Sequence, residues 1–352
     1  MKSIAALSCL VAMASATRIF ESLSDTDRSQ LEQQLTKWKT LYGPIAHAKG
    51  FTPEAVLKVD SHSDMELLRF HETTQSVLRA AALNPLANFS AFNQFALLND
   101  AEFKQVMVSS FGTSSFEVTE AAEGVVGDDA VGGGPDSIDW STHRCNPSVK
   151  SQGQCGSCWA FSTVGTAETA HCLATGNLLD LSEQQVVSCS TNGGSQGCKG
   201  GFPPGAVDFI RQQGLCTQQD WAYTSGTTTQ TGNCDRNCQK TTLAIGNTVQ
   251  ANGEAALQTA LANQPVTVIV EAGNDVWRNY KGGVVTQCPG GKSDHAVIAV
   301  GYGAATGQFF KIKNSWGPQW GDNGYIYLQR GVGGIGMCNV AQAVTYPQLQ
   351  GH

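Results

Sequence analysis

The sequence predicts an α+β fold in which a helical half precedes a strand-rich half. Residues 158–173 form an apolar, helix-like stretch, whereas after residue 264 the chain changes to short β-branched or aromatic runs separated by glycine-rich turns. Another helix-like segment lies ahead of both halves and contains no cysteine between residues 17 and about 118. We therefore expect two subdomains that face each other across a cleft, preceded by a separate helical segment.

The composition indicates a globular protein with a packed core. The 352 residues are 41% hydrophobic and carry a formal net charge of −7. Lys and Arg form no block along the chain, so the basic surface that follows a phosphate backbone is not expected. We accordingly expect no nucleic-acid partner, and we expect a monomer.

The first 16 residues, MKSIAALSCLVAMASA, have a basic start at Lys2, an apolar run over residues 4–13 and small residues at the end. This pattern is typical of a cleavable secretory signal. No later stretch reaches the roughly 18 successive apolar residues of a spanning helix, so no membrane anchor is expected. The chain should enter the secretory pathway and reach a lysosome or vacuole, or the outside of the cell.

The segment that follows the signal has the spacing of an amphipathic helix. Its regularly spaced apolar residues are Leu31, Leu35, Trp38, Leu41 and Tyr42. The triplet Asn88-Phe89-Ser90 is a sequon, which makes Asn88 a candidate glycosylation site in a secreted chain.

Residues 119–134 are rich in glycine and acidic residues and have no apolar period, which predicts a flexible, cleavable linker. The chain therefore divides into a signal at 1–16, an N-terminal segment at 17–133 that includes this linker, and a domain at 134–352.

Within the domain, the helix predicted over residues 158–173 is ended by Gly176-Asn177, and Ser182 to Gln185 form a capping box that opens a second helix. The predicted strands are VTVIVEA, HAVIAVGYG, FFKIKNSW and YIYLQR, which begin at residues 266, 295, 309 and 325.

Eleven cysteines remain once Cys9 leaves with the signal, and an odd number in a disulfide-forming compartment leaves one thiol over. That thiol is either a buried structural thiol or a reactive one. Cys155 and Cys158 stand three apart, so a thioredoxin-like pair and, together with Cys234 and Cys238, a zinc site are two further interpretations. Both are poorly supported, because no histidine stands at ligand spacing and no βαβ pattern surrounds the pair.

Cys158 stands where the loop QGQCGS becomes a helix, so backbone N–H groups and the positive end of the helix dipole face its sulfur and favour a thiolate. A neighbouring imidazole could then supply the proton for a leaving group, and His295 opens an apolar strand in DHAVIAV. Asn314, at the end of the FFKIK strand, is placed to orient that imidazole, with Trp316 near enough to exclude water.

These motifs together resemble the papain-like cysteine proteases, in particular their cathepsin L-like members. CGSCW matches the local signature of that family, which has a His and an Asn well downstream. The resemblance extends from about Pro135 to Pro347 through DW, QGQCGSCWAFS, LSEQQVVSC, GCKGG, QPV, DHAV, GYG, NSWGPQWGDNGYIYL and TYP. It implies a papain-like two-subdomain fold, with a helical left half and a β-barrel-like right half, and an inhibitory, mainly helical pro-region at residues 17–133.

The resemblance implies that Cys158 is the nucleophile of a cysteine endopeptidase made as a secretory zymogen, with His295 as general base and acid and Asn314 as the orienting group. Gln152 would give its side-chain amide to an oxyanion hole that the backbone N–H of Cys158 completes. Peptide bonds would be hydrolysed through a thioester acyl-enzyme. Neither a cofactor nor a metal is implied.

The resemblance also implies five disulfides and leaves Cys158 as the remaining thiol. The implied pairs are Cys155 with Cys198, Cys288 with Cys338, Cys145 with Cys172 as in cathepsin B, and Cys189 with Cys234 or Cys238, the other of these two pairing with Cys216.

Ten residues are implied to contact substrate: Gly200, Gly201, Phe202, Pro203, Ile269, Ser293, Asp294, Ala296, Trp316 and Ala343. The pocket for the side chain that precedes the scissile residue (P2) contains no charge among its implied lining residues, which predicts a bulky apolar P2 residue such as Leu, Val or Phe. The occluding loop of cathepsin B has no counterpart between Cys198 and Gly214, which favours endopeptidase action.

The pro-region matches the inhibitory segment of the family in part. Four positions match, namely Arg69, Asn84, Asn93 and Phe95, whereas five differ, namely Thr73, Ser76, Ala80, Ala91 and Leu97. Leu97 replaces an aspartate, so acid-triggered release through that aspartate is not expected. The expected partners are protein or peptide substrates, the chain's own pro-region and cystatin-like inhibitors.

Three alternatives remain open at this point. The chain could be an exopeptidase or a transpeptidase on the same fold, or a non-catalytic papain-like binding protein, although such a protein usually loses the nucleophile. It could also be a disulfide oxidoreductase, in which case Cys155 and Cys158 would pair with each other.

Overall fold

The structure, a computed structural model, describes residue 20 and residues 22–108, 135–235, 237–305 and 307–350. The predicted signal at 1–16 and the predicted linker at 119–134 lie outside these ranges, so both stay predictions. Within them, helices and strands segregate into two halves preceded by a mainly helical segment, and the α+β prediction is confirmed.

The pro-region contributes four helices and one strand: α1 (Asp25–Leu41), α2 (Gly43–Ala48), α3 (Asp64–Leu83), β1 (Ala87–Phe89) and α4 (Asp100–Val108). Ser24 caps α1 by accepting from the N–H of Asp27, and Ser63 and Glu66 form a capping box at the start of α3. The predicted spacing places Leu35 and Trp38 in the core, whereas Leu41, the last residue of α1, is exposed.

The helical half comprises α5 (Cys158–Thr175), α6 (Glu183–Cys189), α7 (Pro203–Gln213) and α8 (Ser225–Thr228). Every residue of α5 up to Cys172 is buried, so this helix forms the centre of the domain. It ends where Gly176 adopts a φ of 79° and donates its N–H to the carbonyl of Cys172, a conformation that glycine allows at little cost. Ser182 caps α6 by accepting the N–H of Gln185, which is one half of the predicted capping box, whereas the Gln185 amide bonds to the backbone of Gly214 and Cys216 instead.

The strand-rich half holds β2 (Ile138–Asp139), β3 (Ile245–Ala251), α9 (Glu254–Leu261), β4 (Val266–Val270), α10 (Asp275–Asn279), β5 (Tyr280–Val285), β6 (His295–Ala304), β7 (Gln308–Lys313), β8 (Tyr325–Gln329) and β9 (Val344–Leu349). The hydrogen-bonded order is β1-β5-β8-β7-β6-β4-β9-β3, with β2 on β6. The pro-region strand β1 thus extends the edge of this sheet. Asn88, the sequon residue, is exposed on β1.

Buried charges join the two halves behind the cleft. Lys150 Nζ lies 2.6 Å from a carboxylate oxygen of Glu183 and 3.4 Å from one of Glu168, while Lys313 Nζ donates to the carbonyl of Pro147 at 2.9 Å. Burial raises the pKa of Glu168 to about 7 and lowers the pKa of Lys313 to about 7. Because Lys313 ends β7, this cluster holds the start of the following loop in place.

Five disulfides lie in the domain: Cys145–Cys172, Cys155–Cys198, Cys189–Cys234, Cys216–Cys238 and Cys288–Cys338. The resemblance leaves the partner of Cys189 open between Cys234 and Cys238, and in the structure this partner is Cys234. Cys155 is bonded to Cys198 and not to Cys158, an arrangement that the oxidoreductase hypothesis does not allow.

Within the described residues, no helix combines the length and the apolar character that crossing a bilayer requires.

Candidate active site

Cys158 lies fully buried at the first residue of α5, outside the five disulfides. Its Sγ accepts a hydrogen bond from the backbone N–H of Ala296 at 3.3 Å. Ala296 follows His295, the first residue of β6. The start of the central helix in one half and the start of a strand in the other therefore meet at the sulfur, as the two-subdomain prediction requires.

The ring of His295 is held by two side chains. Its Nε2 lies 2.8 Å from Oδ1 of Asn314, and that oxygen also accepts the backbone N–H of Ser315 at 2.8 Å. The indole of Trp316 stacks on the imidazole, with ring centroids 5.1 Å apart and an angle of 26° between the planes. Since Oδ1 acts as an acceptor, Nε2 carries the proton of the neutral ring, and Nδ1 is left able to accept one. Nδ1 finds no hydrogen-bond partner among the described residues.

Burial controls the protonation of His295 in this structure. Desolvation lowers the pKa of the imidazole to about 4, and the hydrogen bond to Asn314 opposes that shift only in part. Both His295 and Cys158 have no solvent exposure. The imidazolium form is therefore disfavoured at pH 5 to 7 for as long as the cleft stays covered.

Gln152 is fully buried at the start of the QGQCGS loop, and its side chain is fixed at both ends. Oε1 accepts from Ser315 Oγ at 2.7 Å, and Nε2 donates to the carbonyl of Cys155 at 3.1 Å. The backbones of Gln152 and Ser315 are joined as well, at 2.9 Å. One amide hydrogen engages Cys155, which leaves the second for another acceptor.

The predicted P2 pocket lies partly against Cys158. Ile269, Ala296 and Ala343 form one apolar cluster with Cys158. On the helical half, Gly201 backs onto Trp159, and a Cβ at this glycine would lie 2.3 Å from the indole. A side chain at residue 201 would therefore displace that indole, which follows Cys158 directly.

The other predicted substrate-contact residues lie at the start of α7 and just before β6. Gly200 adopts a φ of 109°, a conformation that favours glycine, and it precedes Phe202 and Pro203, which start α7. Asp294 accepts the backbone N–H groups of Ala272 and Gly273, and burial raises the pKa of its carboxyl to about 6. It therefore holds the loop after β4.

Ser293 bonds to a polar side chain, that of Gln342, which the family motifs do not indicate. Its Oγ donates to Oε1 of Gln342 at 2.5 Å and accepts from Nδ2 of Asn339 at 3.2 Å. Gln342 precedes Ala343, so an amide lies next to the apolar pocket. Only its position beside a predicted pocket residue could have indicated it.

The pro-region covers the cleft with aromatic rings. Phe95 and Phe103 both pack edge-on against Trp316, with centroids 5.2 and 5.8 Å away. The carbonyl of Trp316 accepts from Gln94 Nε2 and from Lys49 Nζ, each at 2.9 Å. These contacts place the pro-region against the indole that stacks on the imidazole of His295.

Helix α3 docks on α10 through the positions where the pro-region differs from the family pattern. Thr73 Oγ1 accepts from Arg278 at 2.9 Å, and Ser76 Oγ accepts from Asn279 Nδ2 at 2.7 Å. Leu97, which stands where an aspartate is usual, is buried, and its carbonyl accepts from Arg69. The two hydroxyls therefore form a polar interface with the domain.

Asn84 fixes the end of α3. Its Oδ1 accepts the backbone N–H groups of Thr286 and Gln287, at 2.9 and 2.8 Å.

Within the described part of the chain, no group of three or more His, Cys, Asp or Glu side chains is placed to hold a metal ion.

The comparisons with known proteins agree with this geometry. A family model described as papain family cysteine protease matches residues 134–348. Papaya proteinase 4 of Carica papaya is 38% identical over 288 residues, which are 81% of this chain and 81% of the relative. The oryzain beta chain of Oryza sativa subsp. japonica is 39% identical over 74% of this chain, which spans 55% of the length of that relative.

A solved structure with the same organisation is the proform of the Amb a 11 cysteine protease, a major ragweed pollen allergen. It superimposes with a TM-score of 0.72 at 30% identity, covering 84% of this chain and 91% of the allergen. The similarity thus includes a pro-region bound to a protease domain. By its matched domain, its relatives and its fold, the chain belongs to the papain family of cysteine proteases.

Proposed function

We propose that the chain is the zymogen of a secretory cysteine endopeptidase that acts in a lysosome or vacuole or outside the cell. One observation carries this proposal: Cys158 lies at a helix start, against the strand start whose His295 is oriented by Asn314. A thiol, an imidazole and an amide in that order supply a nucleophile, a proton carrier and an orienting group.

The mechanism follows from these roles. Removal of the pro-region would readmit water to the cleft, relieve the desolvation that opposes the imidazolium, and let the Cys158 proton pass to Nδ1 of His295. The thiolate attacks the peptide carbonyl, and the resulting oxyanion is stabilised by the second amide hydrogen of Gln152 and the backbone N–H of Cys158. The imidazolium then protonates the leaving amine, and a thioester remains. Water, deprotonated by His295, hydrolyses the thioester and restores the thiol.

The substitution Gln152→Ala is expected to lower kcat by about 10² to 10³, because it removes an oxyanion donor. KM should change far less, since the donor acts mainly on the charged intermediate. Steady-state kinetics on one peptide substrate measure both constants. The matched control is Ser315→Ala, which keeps the amide but removes its 2.7 Å anchor and should cost less. A Gln152→Ala enzyme with unchanged kcat would remove Gln152 from the mechanism.

We expect a bulky apolar P2 residue because Ile269, Ala296 and Ala343 offer no charge beside Cys158. In a panel of fluorogenic dipeptides, Leu-Arg and Phe-Arg should exceed Arg-Arg in kcat/KM by about tenfold or more, since an apolar pocket gives a buried cation no counter-charge. The opposite order would overturn this preference without affecting the catalytic roles.

Endopeptidase action is tested with a peptide blocked at both ends. Between Cys198 and Gly214 the chain holds one short turn and α7, which supports endopeptidase action. The processed chain should cut an acetylated, amidated peptide at an internal bond, as mass spectrometry of the products would reveal. Cleavage only of peptides with a free terminus would instead favour the exopeptidase alternative.

A further inference from the structure

We propose that Arg278 binds a carboxylate on the leaving-group side of the cleft, so that the processed enzyme prefers an acidic residue within three positions after the scissile bond. The inference rests on the proposed function, because it assumes that substrate passes Cys158 and His295. It adds a specificity-determining residue to that site.

Every described hydrogen-bond acceptor of the Arg278 guanidinium belongs to the pro-region. Nη1 donates to Asp100 Oδ1 at 3.1 Å, and Nη2 donates to Thr73 Oγ1 at 2.9 Å, to the carbonyl of Phe95 at 3.4 Å and to that of Leu98. The side chain is 3% exposed, and Nε has no partner among the described residues. Cleavage in the linker and departure of the pro-region would therefore leave a guanidinium with five unsatisfied donors at the protein surface.

The pro-region already places a carboxylate on this guanidinium. Asp100 is the first residue of α4, which follows the segment that covers the cleft. Its carboxylate forms an ion pair with the guanidinium of Arg278. In the proenzyme this contact uses Nη1 alone, because Nη2 donates to other pro-region oxygens. A substrate carboxylate could accept from both terminal nitrogens, a two-pronged geometry for which guanidinium is better suited than ammonium.

The position of Arg278 relative to the imidazole defines which side of the substrate it meets. The guanidinium lies over the ring of Phe103, 5.7 Å from the centroid, and the same ring packs against Trp316. Trp316 in turn stacks on His295. A single phenyl ring of the pro-region thus separates the guanidinium from the indole that covers the proton donor to the leaving amine.

The apolar P2 pocket approaches Cys158 through Ile269, Ala296 and Ala343, and none of these belongs to the aromatic group around Arg278. The peptide after the scissile bond would then cross Trp316. Because an extended chain advances about 3.3 Å per residue, side chains of the first three residues after the bond come within reach of the guanidinium.

The charges of the domain itself leave Arg278 available. Three carboxylates act on it in the proenzyme, those of Asp100, Asp275 and Glu72, and two of these leave with the pro-region. Asp275, one turn earlier on α10, is bridged to Arg79 of the pro-region at 3.1 Å and would also lose its partner. An exposed pair between Asp275 and Arg278 is weak and leaves most of the guanidinium donors unused.

Internally quenched peptides test the proposal on the processed enzyme. The peptides share one sequence up to the scissile bond, with Leu at P2, and carry Glu, Gln or Lys at the first, second or third position after it. We expect kcat/KM for Glu to exceed that for Gln by about tenfold at one of these positions, with Lys the poorest, and this ratio should shrink as salt screens the charges. Equal cleavage of Glu and Gln peptides at all three positions would overturn the proposal.

The substitution Arg278→Gln should abolish the Glu over Gln ratio, and Arg278→Lys should restore part of it. Arg144→Gln is the matched control, because exposed Arg144 lies beside Gly176 at the far end of α5 from Cys158. A ratio that survives in Arg278→Gln would also overturn the proposal. Failure of the wild-type enzyme to cleave any peptide would instead refute the endopeptidase function. If the Arg278 variants do not fold, the Glu over Gln ratio of the wild-type enzyme alone tests the proposal.

Discussion

Replacing Cys158 with alanine is expected to lower kcat by a factor on the order of 10⁵ or more, because the thioester can no longer form. The fold should tolerate the change. The sulfur accepts a hydrogen bond of 3.3 Å from the N–H of Ala296, and its surroundings include the apolar side chains of Ile269 and Ala343. The measurement is kcat on a peptide substrate, after processing by an added protease, since the variant should not process itself.

Two comparisons make the Cys158 prediction specific. Cys158→Ser should be as inactive as Cys158→Ala, because a hydroxyl has no comparable tendency to ionise beside the imidazole. Thermal unfolding of both variants should match that of the wild-type chain to within a few degrees. A correctly folded Cys158→Ala protein that retained a tenth of the wild-type kcat would place the nucleophile elsewhere.

Replacing Phe95 with alanine is expected to release the pro-region from the cleft. Phe95 is fully buried and packs against Phe51 and Phe103 within the pro-region and against Trp316 of the domain, at centroid distances of 5.1 to 5.2 Å. Truncating a buried phenylalanine costs about 3 to 5 kcal/mol, which corresponds to roughly two to four powers of ten in the closed-to-open ratio if the loss falls on docking. The variant should process itself faster and show activity before processing.

Phe92→Ala is the matched control for Phe95→Ala. Phe92 packs against Phe70 and Lys37, which both belong to the pro-region, so its removal weakens that segment without uncovering Trp316 directly. Peptidase activity of the intact chain, measured in the first minutes before processing, should rise more in Phe95→Ala than in Phe92→Ala. The reverse order would show that the aromatic contact with Trp316 does not keep the enzyme latent.

The residues that could be predicted from sequence each sit where a regular element begins or ends. Cys158 opens α5 and His295 opens β6, while Asn314 follows β7, and such boundaries are visible as changes in hydrophobic period and as glycine-rich turns. Only the family motif indicates Gln152, and its side-chain amide lies beside Cys155 in the QGQCGS loop.

The residues that sequence analysis missed owe their position to contacts between distant segments. No motif in the sequence singles out Arg278, because its surroundings depend on Thr73 and Asp100, more than a hundred residues earlier in the chain. In the sequence, Thr73 and Ser76 are visible only as departures from the family's helix pattern. In the structure, their hydroxyls accept hydrogen bonds from Arg278 and Asn279. Local periodicity carries no information on such pairs.

The edge strand β1 was missed for a related reason. It has only three residues, Ala87–Phe89, and its antiparallel pairing with β5 joins segments about 195 residues apart. A strand this short has little pattern of its own, because its backbone hydrogen bonds are satisfied by the neighbouring sheet. The outcome is that the pro-region attaches to the domain by backbone pairing as well as by side chains.

We propose that the pro-region covers Cys158 and that the thiol becomes a reactive thiolate once the pro-region leaves. The rate at which iodoacetamide alkylates Cys158 tests this proposal directly, determined by peptide mapping at mildly acidic pH for the intact chain and for the processed enzyme. We predict slow labelling in the intact chain, where Cys158 is fully buried, and fast, selective labelling with parallel loss of activity after processing. Equal labelling rates in the two forms, or a processed enzyme that stays active once Cys158 is alkylated, would contradict the account.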